Sequence, residues 1–303
     1  MVQFGVHAGP QECTIDELRD LWRRSEELGF DWISVWDHFY PAQVSSDLDC
    51  FESVACHAAL AAETTRPRVG CLVYSAGFRH PAVLANAGAT IDHLSGGRLE
   101  MGIGAGWQAE EYVAHGIPFE SPGVRLRRMA EAVEIVRLLW TEETVTYDGE
   151  FWTLREATCR PRPVQRPSPR IWIGASGEQV ALQLAGRLGD GWNTPFVSAN
   201  AYRRKLEIVL AACPAPDRFA TGVNLMLLGD EDLDEGLERR FGAAAPAVRS
   251  GTLHGGPSQV ADRVREYIDA GAQWINVALR APFDVAALER FAADVVPQFD
   301  RAS

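Results

Sequence analysis

The stretch Leu99-Glu100-Met101-Gly102-Ile103-Gly104-Ala105-Gly106-Trp107 changes character half-way along its length. Its first half predicts a buried β-strand, because the apolar residues Leu99, Met101 and Ile103 alternate along it. Its second half carries glycine at every other residue, although glycine weakens the interior of a strand. We therefore expect something large to lie against this backbone. The polar run 108–112 follows, so the glycines mark the carboxyl end of the strand, where α/β folds keep their binding sites.

Strand and helix patterns alternate on both sides of this stretch. The clearest helix start is a capping box from Thr14 to Glu17. Eight strand–helix units predict a (β/α)8 TIM-like barrel. The alternative is an open doubly wound sheet, which would carry a dinucleotide-binding glycine fingerprint near the start of the chain, and none is present. The predicted strands are residues 3–8, 32–36, 69–74, 99–104, 171–174, 191–194, 222–228 and 274–279.

Two segments interrupt the alternation. Residues 142–170 contain a hairpin pattern at 145–152 with an Asp148-Gly149 turn, followed by a proline-rich stretch. Residues 230–256 are first acidic and then rich in alanine and glycine, which predicts a mobile loop with one short helix. We interpret these segments as insertions after helix 4 and strand 7 of a single domain covering residues 1–303.

Composition narrows the possible partners and the compartment. The 303 residues carry a net charge of −12, which argues against nucleic acid or an anionic membrane as a partner. No leading apolar segment and no apolar run near 18 residues occurs, so we expect neither a signal peptide nor a membrane span. The six cysteines form no C-x-x-C pair, as is typical of reduced thiols in a cytoplasmic protein.

Two further segments carry candidate chemistry at strand ends. Asp37 and His38 follow the second strand, and a histidine there can move a proton near neutral pH; the alternative is a hydrogen-bonded rim histidine with Asp37 as a cap. Residues 174–177 join the fifth strand to a helix, where free backbone N–H groups suit a phosphate. The alternative there is an ordinary N-cap by Ser176. No H-x-H or H-E-x-x-H pattern occurs, so no metal site is predicted.

With these residues in hand, the chain resembles the luciferase-like monooxygenase family, and more closely its coenzyme F420-dependent oxidoreductase branch. The resemblance covers nearly the whole chain and is carried by the motifs at 27–31, 36–39, 79–81, 89–98, 102–107 and 174–177. It implies a TIM-like barrel with the deazaflavin F420 at its C-terminal rim. It also implies a non-proline cis peptide in the third strand, matched here by the Cys71–Leu72 bond.

The resemblance also implies roles for individual residues. His38 matches the catalytic histidine of the family's dehydrogenases, and Asp37 would contact the ring system beside it. Ala175, Ser176 and Gly177 would hold the phosphate of the cofactor. The full cofactor-binding set is Asp37, Cys71, Leu72, Val73, Gly104, Ala105, Gly106, Trp107, Tyr112, Ala175, Ser176 and Gly177. The family further implies a homodimer packed through barrel helices.

The sequence departs from the sugar-phosphate dehydrogenases of this branch at one informative position. Those enzymes carry a glutamate proton donor directly after the glycine run, where this chain has Trp107, and an acidic position in their first loop matches Gln11. We therefore expect a small organic substrate other than a sugar phosphate, with Glu110 as the candidate acid. Two alternatives stay open: an FMN-dependent luciferase-like monooxygenase, and a non-catalytic relative that binds flavin or deazaflavin.

Overall fold

Eight parallel β-strands close into a barrel in the computed structural model, which describes residues 2–42 and 48–299. Each strand pairs with the next along the chain, and the last pairs with the first from Gln3 opposite Trp274 to Ala8 opposite Leu279. The strands are β1 (Gln3–Ala8), β2 (Trp32–Val35), β3 (Arg68–Ser75), β4 (Leu99–Gly104), β5 (Arg170–Gly174), β6 (Gly191–Pro195), β7 (Ala220–Leu227) and β8 (Trp274–Leu279).

Helices lie between the strands and confirm the predicted (β/α)8 barrel. They are α1 (Ile15–Glu27), α2 (Ser53–Glu63), α3 (Pro81–Leu94), α4 (Ala109–Ala114), α5 (Pro122–Thr141), α6 (Ala181–Leu188), α7 (Ala199–Ala212), α8 (Leu233–Phe241), α9 (Ala245–Val248), α10 (Pro257–Asp269) and α11 (Val285–Arg290). The short helix α4 was not predicted, because its sequence is polar and only six residues long. It follows β4 directly and therefore stands at the carboxyl end of the barrel.

The first helix begins at the predicted capping box. The Thr14 hydroxyl accepts from the Glu17 backbone N–H at 3.2 Å, and the Glu17 carboxylate accepts from the Thr14 N–H at 2.7 Å. These reciprocal bonds satisfy two donors that a helix start leaves without partners. Leu18, Leu21 and Trp22 form the buried face of the helix. The helix therefore packs on the outside of the barrel as its sequence pattern indicates.

The interior of the barrel is filled below the carboxyl ends of its strands. Trp32, Trp172 and Trp274 contact one another there, with ring centroids 4.9 to 6.2 Å apart. Glu100 is fully buried beside them and accepts from the Trp172 indole N–H at 2.5 Å while pairing with Arg68 and Arg170. The cavity described below lies on the other side of this layer, toward the carboxyl ends of the strands.

The two inserted segments have more regular structure than the sequence indicated. The first contains the hairpin strands Val145–Asp148 and Thr153–Ala157, joined by a four-residue loop and not by the predicted two-residue Asp-Gly turn. The second is not an open loop. It contains α8, α9 and a short strand, Thr252–Leu253, that pairs with β7. Leu237 and Phe241, four residues apart on α8, pack against Met226 of β7, and this burial orders the segment.

Among residues 2–42 and 48–299, no helix is long and apolar enough to cross a membrane.

Gly102 tests the packing inside β4. A Cβ atom at this residue would lie 2.1 Å from the Cys71 carbonyl oxygen and 2.9 Å from Val73 Cγ1. We expect Gly102→Ala to lower the free energy of unfolding by about 1–3 kcal/mol, as overpacking does. Gly123→Ala in α5 is the matched control, since a Cβ there meets nothing within 4 Å. Urea denaturation measures the free energy of unfolding of both variants. An equal loss in the two variants would contradict the close packing of β4 at Gly102.

Candidate functional site

A cavity of about 650 Å³ opens at the carboxyl ends of the barrel strands. Every strand, or the loop that follows it, contributes to its wall. Its volume lies in the range typical of sites for small molecules and cofactors. The cavity brings together most of the residues that the sequence assigned to the site: Asp37, His38, Leu72, Val73, Gly104, Ala105, Gly106, Trp107, Ala175, Ser176 and Gly177.

Three predicted site residues do not line the cavity. Cys71 is fully buried in the core between the barrel and its helices. Tyr112 lies behind the wall, where its hydroxyl contacts the Ser75 hydroxyl. Glu110 is on the exposed side of α4. Cys71 and Tyr112 therefore support the wall from behind, and Glu110 has no contact with the site.

A bulge in β3 forms the floor of the cavity. Its pairing with β4 shifts by one residue between Cys71 and Tyr74, which stay on the outer side, so Leu72 and Val73 both face inward. The non-proline cis peptide joins Leu72 to Val73. The predicted position, Cys71–Leu72, was wrong by one residue. The inward pair could not be located from sequence because a bulge is defined only by its register against the neighbouring strand.

The glycines around the bulge make room for Val73. A Cβ at Gly104 would lie 2.5 Å from Val73 Cγ2, and a Cβ at Gly174 would lie 2.8 Å from Val73 Cγ1. The expectation that something large lies against the glycines of β4 is therefore met by a side chain of this protein, which in turn lines the cavity. Glycine is required at residue 106 for a different reason. Its φ is +77°, and a Cβ atom there would lie 2.0 Å from the Tyr112 hydroxyl.

Asp37 is held in place by an arginine. Its two carboxylate oxygens accept from Arg79 at 2.7 and 2.9 Å, and one of them also accepts from the Ser75 N–H at 3.0 Å. Arg79 also pairs with Glu52. Burial opposes the charge of Arg79, but these two carboxylates raise the pKa of its guanidinium above the ordinary value. Asp37 thus ties the loop after β2 to the end of β3.

His38 has a buried carboxylate behind it. Its Nδ1 lies 2.7 Å from Glu111 Oε1, and Glu111 Oε2 accepts from the Phe39 N–H at 2.8 Å. The Glu111 side chain is only 1% exposed, whereas that of His38 is 12% exposed and faces the cavity. A carboxylate at Nδ1 fixes the tautomer and orientation of the imidazole and leaves Nε2 for the ligand.

Glu110, the predicted acid, is exposed, whereas its neighbour Glu111 is buried and contacts His38. In a helix, residues three and four apart share a face. Gln108, Glu111 and Tyr112 share the buried face of α4, and Glu110 lies on the opposite side. Because Gln108 lies three residues before Glu111 and four before Tyr112, helical spacing was the signal that could have placed Glu111 on the buried side with Tyr112.

The segment after β5, which the sequence predicted to hold a phosphate, lines the cavity but lies before the start of α6. The N-cap of α6 is Val180, without a side-chain cap bond, so the alternative of an N-cap by Ser176 is wrong. Lys205 donates to the Ser176 carbonyl at 2.7 Å and to Glu178 at 3.0 Å, which places a cation beside the segment. A Cβ at Gly177 would meet only Ala181, at 3.7 Å. The backbone here is open to a ligand.

Two further wall residues escaped the sequence reasoning. His7 lies on the inner side of β1, where burial lowers the pKa of its imidazole to about 3 and keeps it neutral; Ser34 Oγ lies 2.9 Å from its Nδ1. Arg280 follows β8 and comes from a segment with no motif. In the part of the chain that the structure describes, no group of histidine, cysteine, aspartate or glutamate side chains could hold a metal ion.

Comparison with known proteins agrees with this geometry. The model of the luciferase-like monooxygenase family matches residues 1–240. The chain belongs to this family. Among its relatives, an F420-dependent glucose-6-phosphate dehydrogenase of Kineococcus radiotolerans is 31% identical over 98% of this chain and 96% of its own length. A protein of the same name from Intrasporangium calvum is 30% identical over 98% of both chains.

Solved structures of this luciferase-like fold are also similar. An F420-dependent secondary alcohol dehydrogenase in complex with an F420–acetone adduct has a TM-score of 0.88 and 20% identity, covering 99% of both chains. The coenzyme F420-dependent tetrahydromethanopterin reductase of Methanopyrus kandleri has a TM-score of 0.82 and 19% identity, with the same coverage. At this identity, the likeness establishes the shared fold.

The Asp37–Arg79 pair should stabilise the rim of this luciferase-like barrel. Asp37→Asn leaves a buried guanidinium with one fewer carboxylate, and we expect it to lower the free energy of unfolding by about 3–5 kcal/mol. The matched control is Asp148→Asn, because the pair of Asp148 with Arg155 is exposed on both sides and such pairs contribute about 0–1 kcal/mol. Urea denaturation measures both, and a loss for Asp37→Asn no larger than that of the control would refute the role.

Proposed function

We propose that this protein is an oxidoreductase that transfers hydride between coenzyme F420 and a small organic substrate in the cavity at the barrel rim. The single observation that carries the proposal is the floor of the cavity, where the bulge of β3 turns Leu72 and Val73 inward against the glycines of β4 and β5. The names of the relatives, F420-dependent dehydrogenases, support the same cofactor. A homodimer packed through barrel helices is part of the proposal.

The cavity walls suit a flat ring joined to a phosphate. Leu72 and Val73 offer an apolar floor, and Gly104, Ala105 and Gly106 offer a side wall without bulky side chains. The backbone at Ser176 and Gly177, with Lys205 beside it, suits the phosphate. When bound, F420 supplies the carbon that accepts or donates the hydride. The protein supplies the binding surface and the proton.

We assign the proton transfer that accompanies hydride transfer to the Nε2 atom of His38. Glu111 accepts from Nδ1 and thereby holds the imidazole in one orientation. Asp37 is fully engaged by Arg79 and Ser75, so it is a positioning residue. Trp107 packs edge-on against His38, with ring centroids 5.4 Å apart. Because an indole stands where related dehydrogenases carry a glutamate, His38 is the proton carrier on this side of the cavity.

A substrate other than a sugar phosphate fits this wall better. Trp107 is 53% exposed and presents an apolar surface beside His38. A carboxylate at that position would instead accept hydrogen bonds from sugar hydroxyl groups. We therefore propose an organic alcohol or carbonyl compound with an apolar body.

Absorption spectroscopy of the protein purified from a host that makes F420 tests the cofactor. We expect a deazaflavin spectrum and fluorescence, and we expect added F420 to bind the cofactor-free protein at one equivalent. A flavin spectrum with FMN retained through purification would contradict the proposal and favour the monooxygenase alternative. Tight F420 binding with no turnover of any alcohol, aldehyde or sugar phosphate tested would favour the non-catalytic alternative.

Neighbouring glutamates on α4 provide a matched test of the His38–Glu111 pair. We expect His38→Ala to reduce turnover by about 10²–10⁴-fold, the usual contribution of a general acid or base, while the F420 dissociation constant stays unchanged. Glu111→Gln should reduce turnover and mix the two imidazole tautomers, as ¹⁵N NMR of His38 reports. Glu110→Gln is the control and should change neither, because its side chain is exposed.

Full turnover by His38→Ala would remove this residue from the mechanism. Full turnover by Glu111→Gln with an unmixed tautomer would remove Glu111 from its positioning role.

A further inference from the structure

The cavity contains a charged side chain, Arg280, that has no role in the hydride transfer proposed above. Arg280 follows β8, and the strand's inward-facing positions Trp274, Asn276 and Ala278 lead directly to it. Arg280 is only 7% exposed, and it lines the cavity. Arg280 is therefore a buried cation that faces the space where a ligand binds.

In the described part of the chain, the direct contacts of Arg280 include no carboxylate. Its Nη1 donates to the Arg240 carbonyl at 3.0 Å, and its guanidinium carbon lies 4.2 Å from the centroid of the Phe241 ring. Arg240 differs, since Glu231 neutralises it through bonds of 2.8 and 3.0 Å.

Arg280 keeps its charge at neutral pH. Burial lowers the pKa of its guanidinium to about 10, and the charge of Glu12 opposes this shift. A buried charge without a partner is costly. A protein retains such a group most readily where a ligand completes the ion pair.

The position of Arg280 separates it from the proposed cofactor site. Apart from Asp37 after β2, the proposed cofactor residues come from β3, β4 and β5 or the segments that follow β4 and β5, and the phosphate segment follows β5. In the closed ring of eight strands, β8 stands opposite β4 and three strands from β5. The inserted segment supplies both contacts of Arg280, through Arg240 and Phe241. The charge of Arg280 therefore faces the substrate side of the cavity.

The side chains around Arg280 define the chemistry of its ligand. Phe196, Met226 and Phe241 pack together next to it and line the same cavity. A planar guanidinium matches a planar carboxylate through two parallel hydrogen bonds. We propose that Arg280 binds the carboxylate of an organic acid substrate whose apolar body lies against Phe196, Met226 and Phe241. This inference rests on the proposed function, and it names the substrate class of that same site.

Benzoate is the probe, because it joins a carboxylate to an apolar ring, and benzamide is its neutral counterpart. Dissociation constants are measured by NMR titration of the cofactor-free and the F420-loaded protein. We expect native protein to bind benzoate more tightly than benzamide. Arg280→Gln should weaken benzoate binding by about tenfold or more, since bonds between two charged groups are the strong ones, and it should leave benzamide binding unchanged.

Arg125→Gln is the matched control. Arg125 also lines the cavity and has no carboxylate partner in the described chain. Its guanidinium carbon lies 4.0 Å from the centroid of the Phe119 ring. It differs from Arg280 in position, because it lies on α5, which follows β4. Benzoate affinity should be unchanged in this variant. Arg280→Lys keeps the charge without the planar fork and should give an intermediate affinity. It also keeps the test valid if Arg280→Gln does not fold.

Several outcomes would overturn the inference: no benzoate binding, equal benzoate affinity in Arg280→Gln and native protein, or an equal loss in Arg125→Gln. Inorganic phosphate bound more tightly than benzoate through Arg280 would overturn the carboxylate assignment in favour of a phosphate ester. Because the titration also uses cofactor-free protein, it stays independent of F420. Arg280-dependent benzoate binding without F420 binding would refute the proposed cofactor alone, and the reverse would refute this inference alone.

Discussion

The site depends on the contact between Val73 and the glycines around it. Val73 faces inward only because the bulge in β3 adds one residue against β4. The neighbouring strands β4 and β5 leave room for Val73 because Gly104 and Gly174 lack a Cβ atom. A Cβ atom at either residue would lie 2.5–2.8 Å from the Val73 side chain. The interior of a barrel is closely packed, so one added methyl group here has no space. The floor of the cavity is thus specified jointly by three strands.

Hydrogen bonds between charged side chains and their protein partners hold the rim above this floor. Arg79 joins Asp37 to the end of β3, and Glu111 holds His38 through Nδ1. These bonds engage the two carboxylates and leave the imidazole Nε2 toward the cavity. His7, which also lines the cavity, is kept neutral by burial. A rigid rim with one oriented imidazole is what the proposed hydride transfer requires of a protein that binds a redox cofactor.

Sequence alone predicted the strands, the capping box at Thr14 and the gathering of most site residues at one rim, because these follow from local periodicity and from strand ends. It placed the cis peptide one residue early, since a bulge depends on the register against β4. It selected Glu110 over Glu111 because α4 was not recognised as a helix. Arg280 carried no local signal at all. It is held by contacts with Arg240 and Phe241, which lie 40 and 39 residues away in a segment predicted to be a mobile loop.

That inserted segment links the barrel to substrate choice. The eight strands and the loops after them provide the floor and the imidazole proposed to carry the proton, and these elements are compatible with many substrates. The segment between β7 and β8 packs Phe241 onto Met226 and at the same time supplies both contacts that hold Arg280 in the cavity. Burying an unpaired guanidinium is unfavourable unless a ligand completes the pair. Selectivity for an anionic organic substrate would therefore reside in the insertion, while the bulge of β3 and the His38–Glu111 pair keep the chemistry constant.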